Sequence, residues 1–243
     1  MSRIIQFTQL GKYGRFGNSV FQYLFARAYA EKYGAALEIP NWIGQKIFKN
    51  VEHQKPSIHL PATSQDGLTF GDVNIDIVGY CQKKEFLSIL DESKVRNWLQ
   101  FQDKWVDRFK FLNFDVVAHL RRGDYISRCA HVFCIISEDS YLKACDKFGI
   151  NKEKIVWLSE ETQKRSEDLD SDLQFLPDFF TMINSKILLR ANSTFSFWAG
   201  FFNKNKVYSP VVKTGKVGFQ EAEFVEGNTT SIANCNDDFI FGK

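Results

Sequence analysis

The chain has 243 residues, of which 44% are hydrophobic, and its 24 phenylalanines supply enough apolar surface for a sizeable core. Its 31 basic and 29 acidic residues give a formal net charge of +2, which excludes the basic excess of a polyanion-binding protein. No apolar run reaches the roughly 18 residues of a membrane span, and the first residues lack the apolar segment of a signal peptide. With five scattered cysteines, these features predict a cytoplasmic protein without a disulfide framework.

A glycine-rich stretch, GKYGRFGN at residues 11–18, precedes the first predicted helix. The apolar residues that follow it have helical spacing, with Asn18 as the expected N-cap and Gly34 as the residue just beyond the helix. The rest of the first half has fewer clear signals. Its remaining predicted elements are strands at 36–39 and 75–80 and a helix at 85–99.

The second half of the chain alternates strands and helices more regularly. This alternation predicts a parallel α/β sheet, and a domain boundary is expected near residues 108–114. The predicted strands are 115–120, 154–158, 173–176 and 206–210, and the predicted helices are 137–149, 163–169, 177–189 and 193–202.

The three glycines of residues 11–18 lie directly before a helix, which suits either a tight turn or an anion at the helix N-terminus. A dinucleotide-binding fold is a further alternative, since Glu38 ends the next strand about where a ribose-binding acid belongs. The spacing, however, is G-x-x-G-x-x-G, so the glycine that admits a pyrophosphate is missing from its place. NAD binding is therefore disfavoured.

The stretch VVAHLRRGDY, residues 116–125, is a candidate ligand site. An apolar strand leads directly into His119, Arg121, Arg122 and Asp124, and ligands of α/β folds bind at the carboxyl ends of strands. Two adjacent arginines there favour a phosphate or carboxylate ligand, because the guanidinium fork matches both groups. Asp124 could orient one guanidinium group. The alternative is a surface turn whose charges are solvated.

Two other ends of predicted elements carry polar side chains. The helix that begins within RANSTFSFWAG, residues 190–200, starts with small hydroxyl residues, which favours a second anion site or an ordinary cap. Ser159, Glu160 and Glu161 follow a strand, where a carboxylate could pair with the edge of a guanine or face water.

Neither of the two stretches that could suggest a metal has the right pattern. The acidic run DLDSD, residues 168–172, precedes its predicted strand, so its carboxylates would lie at the wrong edge of the sheet. It also lacks the ligands of a calcium loop, which favours a solvated loop. The cysteines of CAHVFC, residues 129–134, and Cys145 match no common zinc spacing, which favours a loop with buried thiols.

Taken together, these stretches resemble the motifs of the α-1,2-fucosyltransferase family, glycosyltransferase family 11. GRFGNSVFQY stands where that family has G-R-x-G-N-x-x-F-Q-Y, and HLRRGDY where it has H-x-R-R-G-D-Y. SEE corresponds to its S-D-D, NSTFSFWAG to its N-S-S-F-S-W-W-G, and GYCQ at 79–82 to its G-Y-W-Q. The order and spacing of these motifs match those of the family over nearly the whole chain. The chain resembles the soluble bacterial or viral members of the family.

The resemblance implies an α/β, GT-B-like fold of two Rossmann-like halves that face a cleft. Residues 1–112 would form the acceptor side, and residues 113–243 would bind GDP-fucose. The implied reaction transfers fucose from GDP-β-L-fucose to a glycan hydroxyl with inversion at the anomeric carbon, which gives an α-fucoside. The implied linkage is α-1,2 to galactose, and the reaction needs no metal or other cofactor. The implied partners are GDP-fucose and an oligosaccharide acceptor, without nucleic acid or a membrane anchor.

The matching motifs also imply roles for individual residues. Arg121 would stabilise the departing pyrophosphate, and the acceptor proton would go to Asp124, to His119 or to no protein group. His119 would otherwise orient the phosphate or the acceptor, and Glu160 or Glu161 would read the guanine. The glycines of residues 11–18 would then allow close approach to the donor. The implied donor-binding residues are Gly17, Asn18, Arg122, Glu160, Glu161, Asn192, Ser193, Thr194 and Ser196.

Departures from the family pattern concern the acceptor side more than the donor side. Cys81 replaces a tryptophan, Glu160 and Glu161 replace aspartates, and FWAGFF replaces WWGAWL. H-x-R-R-G-D also occurs in related α-1,6- and protein O-fucosyltransferases, so those linkages are alternatives. A non-catalytic sugar-nucleotide- or glycan-binding protein is the alternative from another functional class.

Overall fold

The structure is a computed structural model that describes residues 3–51, 54–161, 166–213, 215–232 and 235–237. The chain forms two compact units, of which the first extends to Val106 and the second begins at Asp107. This division lies slightly before the boundary expected between residues 112 and 113. The donor and acceptor roles expected of the two halves stay predictions.

The first unit is built on a four-stranded sheet with the order β2-β1-β4-β3, in which every pairing is parallel. The principal helix, α1, packs against β1 and β2 and buries 13 of its 17 residues. The strands are β1 (Ile4–Gln6), β2 (Ala36–Glu38), β3 (Ala62–Ser64) and β4 (Ile75–Val78), and the helices are α1 (Phe16–Lys32), α2 (Lys84–Leu87), α3 (Glu92–Trp98) and α4 (Asp103–Phe109), which continues across the division.

Helix α1 begins earlier than the sequence predicts. Arg15 is its N-cap residue, and the backbone N–H of Ser19 donates to the Arg15 carbonyl at 3.1 Å, so Asn18 lies inside the first turn. The expected N-cap at Asn18 is therefore wrong. Gly34 follows the C-cap in a left-handed conformation with φ +60°, as predicted.

The helix predicted over 85–99 is in fact two helices, α2 and α3. The Asp91 carboxylate accepts a hydrogen bond from the backbone N–H of Lys94 at 2.9 Å, which makes Asp91 the N-cap of α3. The predicted strands at 36–39 and 75–80 are confirmed as β2 and β4. The sequence analysis did not predict β1 or β3, which have three residues each.

The second unit is built on a five-stranded sheet with the order β11-β9-β8-β5-β7, parallel except for the β11–β9 pair. Two small sheets, β6–β10 and β12–β13, accompany it. The strands are β5 (Val116–His119), β6 (Cys134–Ile136), β7 (Ile155–Leu158), β8 (Ile187–Leu189), β9 (Lys206–Val211), β10 (Gly218–Gln220), β11 (Glu223–Glu226), β12 (Thr230–Ile232) and β13 (Cys235–Asp237), and the helices are α5 (Gly123–Ser127), α6 (Glu138–Phe148), α7 (Leu176–Asn184) and α8 (Thr194–Phe202).

Strand β5 lies between β7 and β8, and all four of its residues are buried. Val116 and Ala118 of this strand join side chains of α6 and the neighbouring strands in one core cluster, which includes Tyr141, Leu189 and Phe224. This central position fixes the end of β5, from which the HLRRGDY motif continues.

Among the described residues, no helix has both the length and the apolar character that a membrane crossing requires.

Most elements of the second unit match the predictions, which are confirmed for β5, α6, β7, α8 and β9. The strand predicted at 173–176 is wrong, because Ser171–Leu173 forms a short 3-10 helix and α7 begins at Leu176 with Pro177 in its first turn. The helix predicted at 177–189 ends at Asn184, and its last residues form β8 instead. Of the helix predicted at 163–169, residues 163–165 lie outside the described residues, and the remainder forms a turn.

The cysteine-containing stretch also differs in part from the expected loop, since Cys134 begins β6. Cys134 and Cys145 are both buried, as predicted, whereas Cys129 is only partly buried, so the prediction of a buried thiol is wrong there. Burial raises the pKa of the Cys134 and Cys145 thiols, so neither carries the character of a reactive thiolate.

Candidate active site

Arg121 follows the carboxyl end of β5 and is held by two carboxylates. Its Nη2 lies 2.5 Å from Asp124 Oδ1, and its Nη1 contacts Glu160 Oε1. The guanidinium carbon lies 4.7 Å from the centre of the Tyr125 ring, and the side chain is only 13% exposed. Asp124 orients this guanidinium, as the sequence suggested, whereas Glu160 is brought to it from the end of β7.

Gly123 lies where the turn after β5 and the end of β7 approach each other. Its φ of +36° is in the left-handed range that favours glycine, and a Cβ at this position would overlap the Glu160 carboxylate. A side chain at residue 123 would therefore require Glu160 to move. This glycine allows Glu160 to reach Arg121.

Arg122 has a different environment from Arg121 and is buried. Its Nη1 donates to the backbone carbonyl of Ile136 at 2.8 Å, and its Nη2 lies 3.8 Å from Glu138 Oε1. Its guanidinium carbon lies 5.4 Å from the centre of the Phe219 ring. Arg122 thus ties the turn to the small β6–β10 sheet, and its expected role in donor binding stays a prediction.

The start of α8 carries the NSTFS motif, and its polar side chains are largely engaged within the protein. Ser193 is the N-cap, and its hydroxyl accepts from the backbone N–H of Phe195 at 3.2 Å. Ser196 donates its hydroxyl to the Ala191 carbonyl at 2.9 Å, and Asn192 Nδ2 donates to the Cys134 carbonyl at 2.9 Å. Thr194 opens the helix and is half-buried. The motif therefore shapes the helix start through Asn192, Ser193 and Ser196.

His119 is the last residue of β5 and is buried beside α8. Its ring centre lies 5.6 Å from that of Phe195, and its backbone carbonyl accepts from the Tyr141 hydroxyl at 2.9 Å. The complete burial of Tyr141 raises the pKa of its phenol, which stays a neutral hydrogen-bond donor. These contacts fix the end of β5 at the point where Arg121 begins its turn.

Asp178 is a titratable residue near this region that the sequence analysis did not single out. It lies in the first turn of α7, next to Phe179, whose ring centre is 5.2 Å from that of Phe195. Burial raises the pKa of Asp178 to about 6. The signal in the sequence was an acidic residue directly before two phenylalanines.

The remaining acidic candidates lie in more open surroundings. Glu161 is exposed, unlike its neighbour Glu160. Both oxygens of Asp168, in the DLDSD run, lie 2.8 Å from Arg108 Nη2, and its side chain is 69% exposed. Within the part of the chain that the structure describes, no group of three or more His, Cys, Asp or Glu side chains is arranged to hold a metal ion.

In the first unit, two glycines of residues 11–18 have conformations that a turn requires. Gly11 has φ +82° and Gly14 has φ +79°, and a Cβ on Gly14 would overlap the Asn18 side chain. Asn18 Oδ1 accepts a hydrogen bond from Gln82 Nε2 at 3.0 Å, which links the turn to the GYCQ stretch. Gly17 is buried within α1. The spacing of these glycines is therefore explained by the turn and by the seating of Asn18.

Glu38, considered above as a ribose-binding acid, is engaged within the first unit. Its carboxylate accepts hydrogen bonds from Gln6 Nε2 at 2.7 Å and from the Ser57 hydroxyl at 2.6 Å. Burial acts to raise the pKa of Glu38, but the hydrogen bonds from Ser57 and Gln6 outweigh it and lower the pKa. These contacts disfavour a dinucleotide site there.

The comparisons with known proteins concern the fold. No protein-family model matches the sequence, and no curated protein matches it. Among solved structures, NodZ α-1,6-fucosyltransferase soaked with GDP-fucose is 12% identical, with a TM-score of 0.56 over 93% of this chain and 100% of that chain. The same enzyme co-crystallised with GDP is 11% identical, with a TM-score of 0.54 over 93% of this chain and 99% of that chain.

A third structure, fucosyltransferase NodZ from Bradyrhizobium, is 10% identical, with a TM-score of 0.57 over 93% of this chain and 99% of that chain. At such identities the likeness concerns architecture, and it spans both units. The α/β, GT-B-like fold that the sequence predicted is thereby confirmed.

Proposed function

We propose that the protein is a glycosyltransferase that moves fucose from GDP-fucose to a hydroxyl group of a glycan. The observation that carries the proposal is the placement of Arg121, two residues beyond the carboxyl end of the central strand β5, between Asp124 and Glu160. The family motifs in the sequence support this function, and so does the fold shared with a fucosyltransferase that was soaked with GDP-fucose.

Arg121 would act on the leaving group. When the bond between fucose C1 and the diphosphate oxygen breaks, negative charge grows on the departing GDP. A guanidinium group carries five N–H donors, and the described contacts of Arg121 with Asp124 and Glu160 leave several of them for phosphate oxygens. Its position is fixed in advance, which is how a cation stabilises developing charge most effectively.

The acceptor hydroxyl would attack C1 from the face opposite the leaving diphosphate, which gives inversion, and would lose its proton in the process. Of the two candidate bases, His119 is buried, whereas the Asp124 side chain is 41% exposed. We therefore assign the proton to Asp124. The proposal keeps the donor on the second unit and the acceptor on the first, which the resemblance to the family implies.

The linkage has two candidates, each supported by a different observation. The motifs of residues 11–18 and 192–200 favour an α-1,2 linkage to galactose, whereas the motif of residues 119–125 is shared with α-1,6- and protein O-fucosyltransferases. The solved structures with the same fold belong to an α-1,6-fucosyltransferase, which favours the α-1,6 alternative. The proposal also includes a reaction without a metal ion, since Arg121 and the N-terminus of α8 supply positive charge.

An acceptor array tests this proposal. The protein is incubated with GDP-fucose and a panel of oligosaccharides that end in galactose or N-acetylglucosamine, and the linkage of any product is determined by NMR. A fucosylated α-1,2 or α-1,6 product supports the proposal and selects the linkage. Binding of GDP without transfer or donor hydrolysis would favour the non-catalytic sugar-nucleotide-binding alternative.

A further inference from the structure

Glu160 was expected to read the nucleobase of the donor, but its contacts indicate another role. We infer that Glu160 is a positioning residue, which fixes the guanidinium of Arg121 rather than recognising guanine. This inference rests on the proposed function and assigns a role within the same site.

The guanidinium of Arg121 is held on two of its nitrogens and on one face. Glu160 contacts Nη1, Asp124 lies 2.5 Å from Nη2, and the Tyr125 ring lies against the guanidinium plane at 4.7 Å. Asp124 and Tyr125 belong to α5, directly after Arg121 in the chain, whereas Glu160 follows β7. Among the described contacts of Arg121, the one with Glu160 ties the guanidinium to a second strand, whereas those with Asp124 and Tyr125 lie within its own turn.

The two oxygens of Glu160 both face this turn. Oε1 contacts Arg121, and Oε2 lies against the α carbon of Gly123, where a Cβ would overlap it. A carboxylate that reads guanine must present both oxygens to the N1–H and the amino group of the base. In the described contacts both oxygens of Glu160 lie against the turn, so the orientation of its carboxylate suits positioning.

The conformation of Gly123 also supports the positioning role of Glu160. Its left-handed φ of +36° and its missing side chain create the space that Glu160 occupies. The glycine of the HLRRGDY motif therefore has a specific use in this chain, which is to admit a carboxylate from β7 to the arginine two residues earlier. Arg121, Gly123 and Glu160 together thus produce the contact between the guanidinium and the carboxylate.

The test separates positioning from base recognition by two measurements. The rate of GDP release from GDP-fucose reports the chemical step, and calorimetric affinities for GDP and IDP report the base, because IDP lacks the exocyclic amino group of guanine. We expect Glu160→Gln to lower the rate by about tenfold or more and to leave the ratio of GDP to IDP affinity unchanged. Glu160→Asp, which retains the carboxylate, should restore part of the rate.

The matched control is Glu153→Gln, the same change at an exposed residue before the opposite end of β7, and it should alter neither quantity. The double variant of Arg121→Lys and Glu160→Gln should be no slower than Arg121→Lys alone, because Glu160 acts through Arg121.

A ratio of GDP to IDP affinity that collapses in Glu160→Gln would overturn the inference, and so would an unchanged rate. Losses that multiply in the double variant would also overturn it. If Glu160→Gln does not fold, which thermal melting reports, the same comparisons are made with Glu160→Asp. A folded wild-type protein that neither binds GDP nor releases it from GDP-fucose would instead refute the proposed function, which is a distinguishable result.

Discussion

The Glu160 carboxylate occupies the space that a side chain on Gly123 would need. We therefore predict that Gly123→Ala displaces Glu160 and lowers the rate of GDP release, in addition to a backbone cost of about 1–2 kcal/mol for a left-handed residue. Gly149→Ala is the matched control, since Gly149 has φ +66° and open space around its α carbon. Urea unfolding and rate measurements on both variants check this. A Gly123→Ala variant that matches Gly149→Ala in both respects would contradict the steric argument.

Arg121→Lys keeps the positive charge but loses the planar fork. Because Arg121 acts on charge that grows as GDP leaves, we expect kcat to fall by roughly 10²-fold, the scale of losing one strong donor to a developing anion. GDP affinity should change by a modest factor, and Arg121→Ala should be worse in both respects. The melting temperature should stay close to that of the wild type. A near-normal kcat for Arg121→Lys would remove Arg121 from the mechanism.

Arg190 is fully buried, and its role is structural. Its Nε donates to the Ser209 hydroxyl at 2.7 Å, its Nη1 to the Ala191 carbonyl at 3.0 Å, and its Nη2 to the Thr229 carbonyl. Arg190→Met would leave these acceptors without their donor, so we expect it to lower the free energy of unfolding by about 3 kcal/mol.

The control for Arg190 is Arg96→Met, which removes a surface ion pair with Glu92 and should cost at most about 0.5 kcal/mol. Denaturant unfolding measures both variants. Equal costs would show that the buried hydrogen bonds of Arg190 add nothing to stability.

Asp178 predicts a distinctive pH dependence. Burial raises its pKa from 3.8 to about 6, so between these values the folded protein binds more protons than the unfolded chain. The free energy of unfolding contributed by this residue therefore falls as the pH rises through that window. Asp178→Asn should raise the melting temperature at pH 7, and the gain should disappear near pH 4.

The pKa of Asp168 is shifted in the opposite direction from that of Asp178, which makes it a comparison for the pH dependence. Hydrogen bonds from Arg108 and Ser166 lower the pKa of Asp168 from 3.8 to about 2, so its contribution to stability is present at neutral pH and is lost as the pH falls towards 2. Asp168→Asn should consequently give no stabilisation at pH 7. A gain at pH 7 in Asp168→Asn, or none in Asp178→Asn, would contradict these assignments.

Transfer should not depend on a divalent cation. The charge that develops on GDP is met by the guanidinium of Arg121 in this account, so activity should persist in excess EDTA. Steady-state rates with and without the chelator measure this. Loss of activity in EDTA that Mn²⁺ restores would contradict it.

The parts of the site that are local in sequence were predictable. An apolar strand that leads directly into two arginines, a glycine and an aspartate identified the end of β5, and the contact of Arg121 with Asp124 spans only three residues. The contact of Arg121 with Glu160 spans 39 residues. It depends on the pairing of β5 with β7, which the periodicity of either strand does not specify.

The errors in the predicted strand at 173–176 and the predicted helix at 177–189 also arise from features that lie beyond a local stretch of sequence. The run LQFL is apolar enough for a strand, but Pro177 suits the first turn of a helix and α7 begins before it. Ile187–Leu189 follows the helical pattern closely enough to extend it, yet the chain becomes extended at Ser185, and Asn203 Nδ2 donates to the Met182 carbonyl at 2.8 Å beside the helix end. Such tertiary contacts are not visible in a local window of sequence.

The central claim is that this chain transfers fucose from GDP-fucose, and the most direct measurement follows a labelled sugar. The protein is incubated with GDP-[¹⁴C]fucose or GDP-[¹⁴C]mannose and a glycan array, alongside the Arg121→Ala variant. We predict label on at least one glycan with GDP-fucose, none with GDP-mannose, and a loss of transfer in Arg121→Ala. Transfer of mannose, or the absence of fucose transfer and of GDP release from a folded protein, would contradict the claim.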